Sequence, residues 1–220
     1  MITPSDVDYQ LTKRKKKNGE PLPPPFKQLA DWFKITYDVE VLNLYYDTVI
    51  PDDRPRLNVI FEKESDALKF RNGALGNFNR IDQKRVTEEF CSILQRIGQH
   101  TFETENLFVI FTAFEPVARV EANESVTDQE INRLKKELND DDLWEISRLF
   151  DSVTFFFYTD EQVKDARQRG VLGKYSRKYS KIVEKYDEFG YHKIRPVSAS
   201  LDSKENFDTN FQSNWYYYYK

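Results

Sequence analysis

Two stretches of this chain, residues 107–114 and 153–158, are apolar almost without a break and rich in Phe, Val and Ile. Runs of six to eight such residues are short for a helix, and their continuity reads as strands covered on both faces. A strand buried on two sides needs helices layered over it, and amphipathic patterns stand ready between and around the two runs. The expected class is therefore α+β, a mixed sheet with helices packed against it, with α/β as the alternative. The core should be aromatic-heavy, because 17 Phe, 13 Tyr and 3 Trp occur among 220 residues and each ring buries about 150–250 Å².

Local signals fill in the elements. Phe26, Leu29, Ala30 and Phe33 recur at helical spacing, and residues 39–50 and 57–62 read as two strands of a hairpin across Pro51-Asp52-Asp53-Arg54-Pro55. Val86, Phe90, Ile93, Leu94 and Ile97 form an apolar stripe that Gly98 ends. Residues 117–121 read as an extension of the first buried strand. Thr127 with Glu130 forms a capping box ahead of Ile131, Leu134 and Leu138, and Leu143, Ile146, Leu149 and Phe150 read as a second short helix. Thr159 or Asp160 caps a helix that stops by Gly170. A last helix spans 174–189, a strand follows over 191–200, residues 202–214 are irregular, and 215–219 form a final strand. No internal repeat is visible in the sequence.

Residues 1–25 carry the basic run 13–17 and then four prolines before Phe26. Prolines at this density favour an extended polyproline arm. The expected organisation is a flexible N-terminal arm over 1–25 and one α+β domain over 26–220. No window approaches the roughly 20 apolar residues that span a bilayer, and the lone Cys91 closes no intrachain disulfide, so the reading is a soluble cytoplasmic protein without a membrane partner.

The same inventory limits chemistry. Two His, one Cys and seven Gly supply neither the three or four ligands of a zinc site nor a glycine-rich phosphate cradle, so no metal, cofactor or catalytic residue is assigned. The approach of Asp52 to Glu62-Lys63-Glu64 invites comparison with restriction-endonuclease-like nucleases. It departs where it matters, because position 64 is Glu where that pattern needs Lys, and Lys63 falls on the opposite side of a strand. A carboxylate- or metal-dependent hydrolase stays as an alternative that requires several acids to converge.

Charge is sharply segregated in a chain of net charge −4: residues 164–195 hold ten Lys/Arg against four Asp/Glu, and residues 121–151 hold the reverse. Lys174, Lys178, Lys181 and Lys185 share one face of the 174–189 helix, with Arg177 beside them. These five are the candidate partner- or phosphate-binding residues. Nucleic-acid binding through this row is one functional reading, and pairing of the acidic and basic blocks within the chain or between copies is the competing account. The aromatic end supplies the second set: if 215–219 is a strand, Trp215, Tyr217 and Tyr219 lie on one side as interface candidates. The leading expectation is a non-enzymatic protein-binding, regulatory or inhibitor-type module, with a homodimer as an open arrangement.

Overall fold

The computed structural model describes residues 3–50, 53–73 and 76–220. The chain is α+β, with helices packed on mixed sheets, as expected. Those helices lie against two three-stranded sheets, and the chain divides into two compact units, Met1–Val117 and Ala118–Lys220.

In the first unit, helices α1 (Val7–Asn18) and α2 (Phe26–Tyr37) precede the hairpin β1 (Val41–Val49) and β2 (Arg54–Phe61). Helices α3 (Glu64–Leu68) and α4 (Arg80–Ile97) then lead to β3 (Phe108–Ala113), which runs parallel to β2 on the side away from β1. Alternation along β2 sends Leu57, Val59 and Phe61 into a core with Leu29 and Phe33 of α2 and Val86, Phe90 and Ile93 of α4. Phe70 stacks between Phe61, at 5.2 Å, and Phe111, at 4.6 Å.

The region expected as an extended arm is largely a helix. Four of its five prolines come only after Gly19, which ends α1 at φ +64°. The Asp8 carboxylate accepts from the Asn58 side-chain amide at 2.7 Å, Asn43 donates to Thr12 Oγ1 at 2.9 Å, and Thr112 donates to Asn58 at 2.7 Å. Asp8, Thr12, Asn43 and Asn58 are all buried, so these bonds hold α1 against the polar stripe of the sheet.

The second unit receives most of α5 (Phe114–Glu124), then α6 (Asp128–Leu138), the hairpin β4 (Leu143–Leu149) and β5 (Ser152–Phe157), and helices α7 (Asp160–Gln168), α8 (Val171–Val183) and α9 (Tyr191–Ile194). Strand β6 (Ser198–Ser203) runs parallel to β5, followed by α10 (Lys204–Phe211) and α11 (Trp215–Tyr218). Its core gathers Ile131, Leu134 and Leu138 of α6, Phe155 and Phe157 of β5, and Tyr175, Tyr179 and Val183 of α8.

The two units repeat one topology that the sequence conceals. Each runs helix, antiparallel hairpin, a helical connection (α3 and α4 in the first, α7 to α9 in the second), a third strand parallel to the second, then a helix beginning directly after that strand. The irregularities repeat as well. A register shift falls between Val41 and Asn43 in β1 and between Leu143 and Glu145 in β4, each just after the pair with Phe61 or Phe157. After the third strand, the Glu115 amide donates to the Glu62 carbonyl at 2.9 Å, and the Glu205 amide donates to the Tyr158 carbonyl at 3.2 Å.

Several expectations are corrected. Residues 117–121 belong to helix α5, where Pro116 occupies the first turn that tolerates it. Residues 143–149 are strand β4, 204–211 are helix α10, and 215–218 are helix α11. The basic helix ends at Val183 rather than Phe189, and 191–200 divides into α9 and the start of β6. Among the described residues, no helix is long and apolar enough to cross a membrane.

Candidate functional site

Helix α8 carries four of the five basic candidates, Lys174, Arg177, Lys178 and Lys181, with Lys185 in the turn after it, yet their surroundings differ from a free cationic face. Tyr175, Tyr179 and Val183 turn into the core and pull α8 against α6, which lies within the acidic block. Lys178 then pairs with Glu137 at 2.6 Å and Lys185 with Glu130 at 3.0 Å. The acidic and basic blocks thus meet within the second unit. Lys174, Arg177 and Lys181 are exposed, and among the described residues no carboxylate lies within ion-pair distance of them. Of the five candidates, two are committed to ion pairs with the acidic block.

The seam has its own electrostatics. The Tyr186 hydroxyl donates to Glu130 at 2.7 Å; this bond first, then Lys185 and the Thr127 cap, lowers the Glu130 carboxyl to about 2. Lys178 likewise holds Glu137 below the usual carboxylate range. Burial, followed by a hydrogen bond donated to Asp140 at 2.5 Å, pushes the Tyr175 phenol up. Tyr179, also pushed up by burial, donates to Asn123 at 2.6 Å. These tyrosines are structural donors.

The aromatic end is built differently from the strand expected there. Asn214 caps the Tyr216 amide through its side chain at 2.9 Å, and the turn it starts sends positions 215, 218 and 219 inward. Trp215 lies parallel to Trp144, with 6.2 Å between ring centres and 4° between planes, and 4.2 Å from Phe207. Tyr218 donates to Asp202 at 2.5 Å, and the hydroxyls of Tyr219 and Ser147 are 2.5 Å apart. Tyr216 and Tyr217 project outward, 67% and 48% exposed, while Trp215 keeps 37%. Of the three expected interface rings, Tyr217 is open, Trp215 is half-committed and Tyr219 is tied to the sheet. The open partner of Tyr217 is its neighbour Tyr216, which a strand would have placed on the other face.

The carboxylates expected to be tested for convergence are dispersed in pairs. Asp47 chelates Arg56 across the hairpin at 2.8 and 2.5 Å, Glu62 meets Lys16 at 2.9 Å, and Asp66 meets Lys69 at 2.8 Å. Asp52, central to the nuclease comparison, lies outside the described residues along with Pro51. Among the described residues, no three His, Cys, Asp or Glu side chains are grouped to hold a metal.

Two polar features had no sequence signal. In the second unit, buried Arg119 donates to Asp151 at 2.7 Å and to the carbonyls of Tyr191, Arg195 and Pro196 at 3.0, 2.7 and 3.2 Å. Buried His192 places Nε2 3.1 Å from the Arg119 carbonyl and Nδ1 3.7 Å from Asp151. A carbonyl only accepts, so Nε2 carries the ring proton of the neutral imidazole in this arrangement. In the first unit, an open cleft between one face of α4 and the start of β3 gathers Arg54, Arg80 and Lys84. The members of both groups are scattered along the chain, so only folding brings them together.

No family model matches this chain, and neither a curated protein nor a solved structure matches it significantly.

Proposed function

We propose that the chain is a non-enzymatic binding protein whose α11 helix engages a protein partner. The observation that carries this reading is the division of the aromatic end: Trp215, Tyr218 and Tyr219 anchor the turn, leaving Tyr216 and Tyr217 to solvent. Tyrosines on an anchored turn lose little further entropy on binding and supply both ring area and a hydroxyl, which is why they dominate interface hot spots. Partner binding through the basic face of α8 receives less support, since Lys178 and Lys185 already have carboxylates.

The test is affinity capture from host lysate with the full chain and with a Tyr216→Ser/Tyr217→Ser double variant, each with and without nuclease. A stoichiometric protein that survives nuclease and is reduced about tenfold or more by the double variant supports the reading. Equal capture by both chains removes α11 from the account.

Nucleic-acid binding is a second reading, favoured by the unpaired charges of Lys174, Arg177 and Lys181 on one face of α8. It expects affinity that falls steeply with salt, since each neutralised phosphate releases counterions. Absence of binding at ~50 mM salt ends it.

A further inference from the structure

We propose that the cleft of the first unit is a nucleotide-binding site, independent of the reading of α11. It encloses about 710 Å³, within the roughly 300–1,000 Å³ typical of small-molecule sites. One wall is a single face of α4, on which Arg80, Lys84 and Glu88 recur at four-residue spacing. Arg54 and Phe108, the first residues of β2 and β3, stand on the other side.

Charge selects an anion. Arg54, Arg80 and Lys84 face one acid, Glu88, so the lining carries a net charge of +2. Glu88 pairs with Lys84 at 3.7 Å and offsets its charge in part, so the uncompensated cations are Arg54 and Arg80. Among the described residues, no carboxylate lies within ion-pair distance of Arg80 or Arg54. A phosphate monoester, a dianion near neutral pH, matches that deficit, and guanidinium donors suit its oxygens. Thr104 lines the same cleft and adds a hydroxyl donor, whereas the Thr87 hydroxyl already donates to the Gln83 carbonyl at 3.0 Å.

A second feature selects a ring beside the phosphate. The Arg54 guanidinium lies 4.9 Å from the centre of the Phe108 ring, and its Nε donates to the Asn106 carbonyl at 2.8 Å. That bond orients the guanidinium, and among the described residues its terminal nitrogens have no hydrogen-bond acceptor. The guanidinium over the phenyl ring offers a cationic, delocalised surface on which a base packs while Arg80 and Lys84 hold the phosphate.

The test is calorimetric titration of the full chain at ~50 mM salt with adenosine monophosphate, adenosine, inorganic phosphate and a twelve-residue oligothymidylate. Adenosine monophosphate binds, adenosine and phosphate alone each bind about tenfold or more weakly, and Arg80→Ala weakens the nucleotide about tenfold. Arg80 is exposed, so its loss spares the core. Glu88→Gln raises the lining to +3 and tightens binding a few-fold, a gain that damage to the fold does not mimic. No binding of adenosine monophosphate, or binding that neither variant changes, overturns the proposal. An oligonucleotide bound far more tightly than the mononucleotide overturns it in favour of a nucleic-acid strand as the occupant.

Discussion

At the scale of single residues, the second unit depends most visibly on Arg119. Its side chain is 1% exposed, and its donors join the β4–β5 turn, through Asp151, to three carbonyls of the segment entering β6. A buried guanidinium is tolerable because each direction it faces holds an acceptor. Removing it leaves three carbonyls without their donor and Asp151, 27% exposed, with the more distant Arg195 at 3.8 Å. Arg119→Met, which keeps most of the volume, should therefore cost about 3–5 kcal/mol, the range for breaking a buried pair by deleting one member. Urea denaturation reads this directly, and a loss below about 1 kcal/mol would mean water replaces the guanidinium. Nothing near Arg119 in the sequence announces the role, because Asp151, Tyr191, Arg195 and Pro196 reach it only through the fold.

At the scale of elements, legibility follows how local the determining contact is. The capping boxes at Thr127 and Thr159 form as written, since each is closed by a Glu or Gln three residues on. Strand β4 reads as a helix because its irregularity after Leu143 breaks the period of two, bringing Leu143 and Ile146 to one buried face at a spacing of three. Helix α11 reads as a strand because five consecutive aromatics erase any period; only the Asn214 cap and the sheet beneath select 215, 218 and 219. The α6–α8 seam shows the opposite case, where segregated charge in the sequence became ion pairs in the structure. Its Glu130 has a folded value near 2 against an ordinary 4.5, so its stabilisation is complete above the ordinary value and drains away as pH falls from 4.5 towards 2. Glu130→Gln should lower the melting temperature at neutral pH, and the gap from the parent chain should shrink through that acid window. A gap that stays constant across the window would show that the charge on Glu130 contributes nothing to the seam.

At the scale of the whole molecule, the repeated topology is the feature that sequence reading missed entirely. The two units share few residue identities at equivalent positions: Leu57, Val59 and Phe61 of β2 correspond to Val153, Phe155 and Phe157 of β5, and Lys63 stands where Thr159 caps the following helix. What repeats is the pattern of inward positions, which hydrophobicity and volume satisfy without identity. The proposed sites do not repeat: the cationic cleft belongs to the first unit and the aromatic end to the second, so each unit adds its own surface to a shared core plan. Equivalence of the plans is testable at Phe61 and Phe157, both 0% exposed and both at the pair that precedes the hairpin irregularity. Each anchors the end of a central strand among rings and aliphatic groups of its own unit. Phe61→Ala and Phe157→Ala should each cost about 3–5 kcal/mol, the sum of lost transfer energy and an unfilled cavity. Trp32 reports on the first core, Trp144 on the second, and denaturation followed by their fluorescence in single-tryptophan backgrounds assigns each loss to its unit. If one substitution costs several kcal/mol and the other almost nothing, the units share a topology without sharing the placement of their stability.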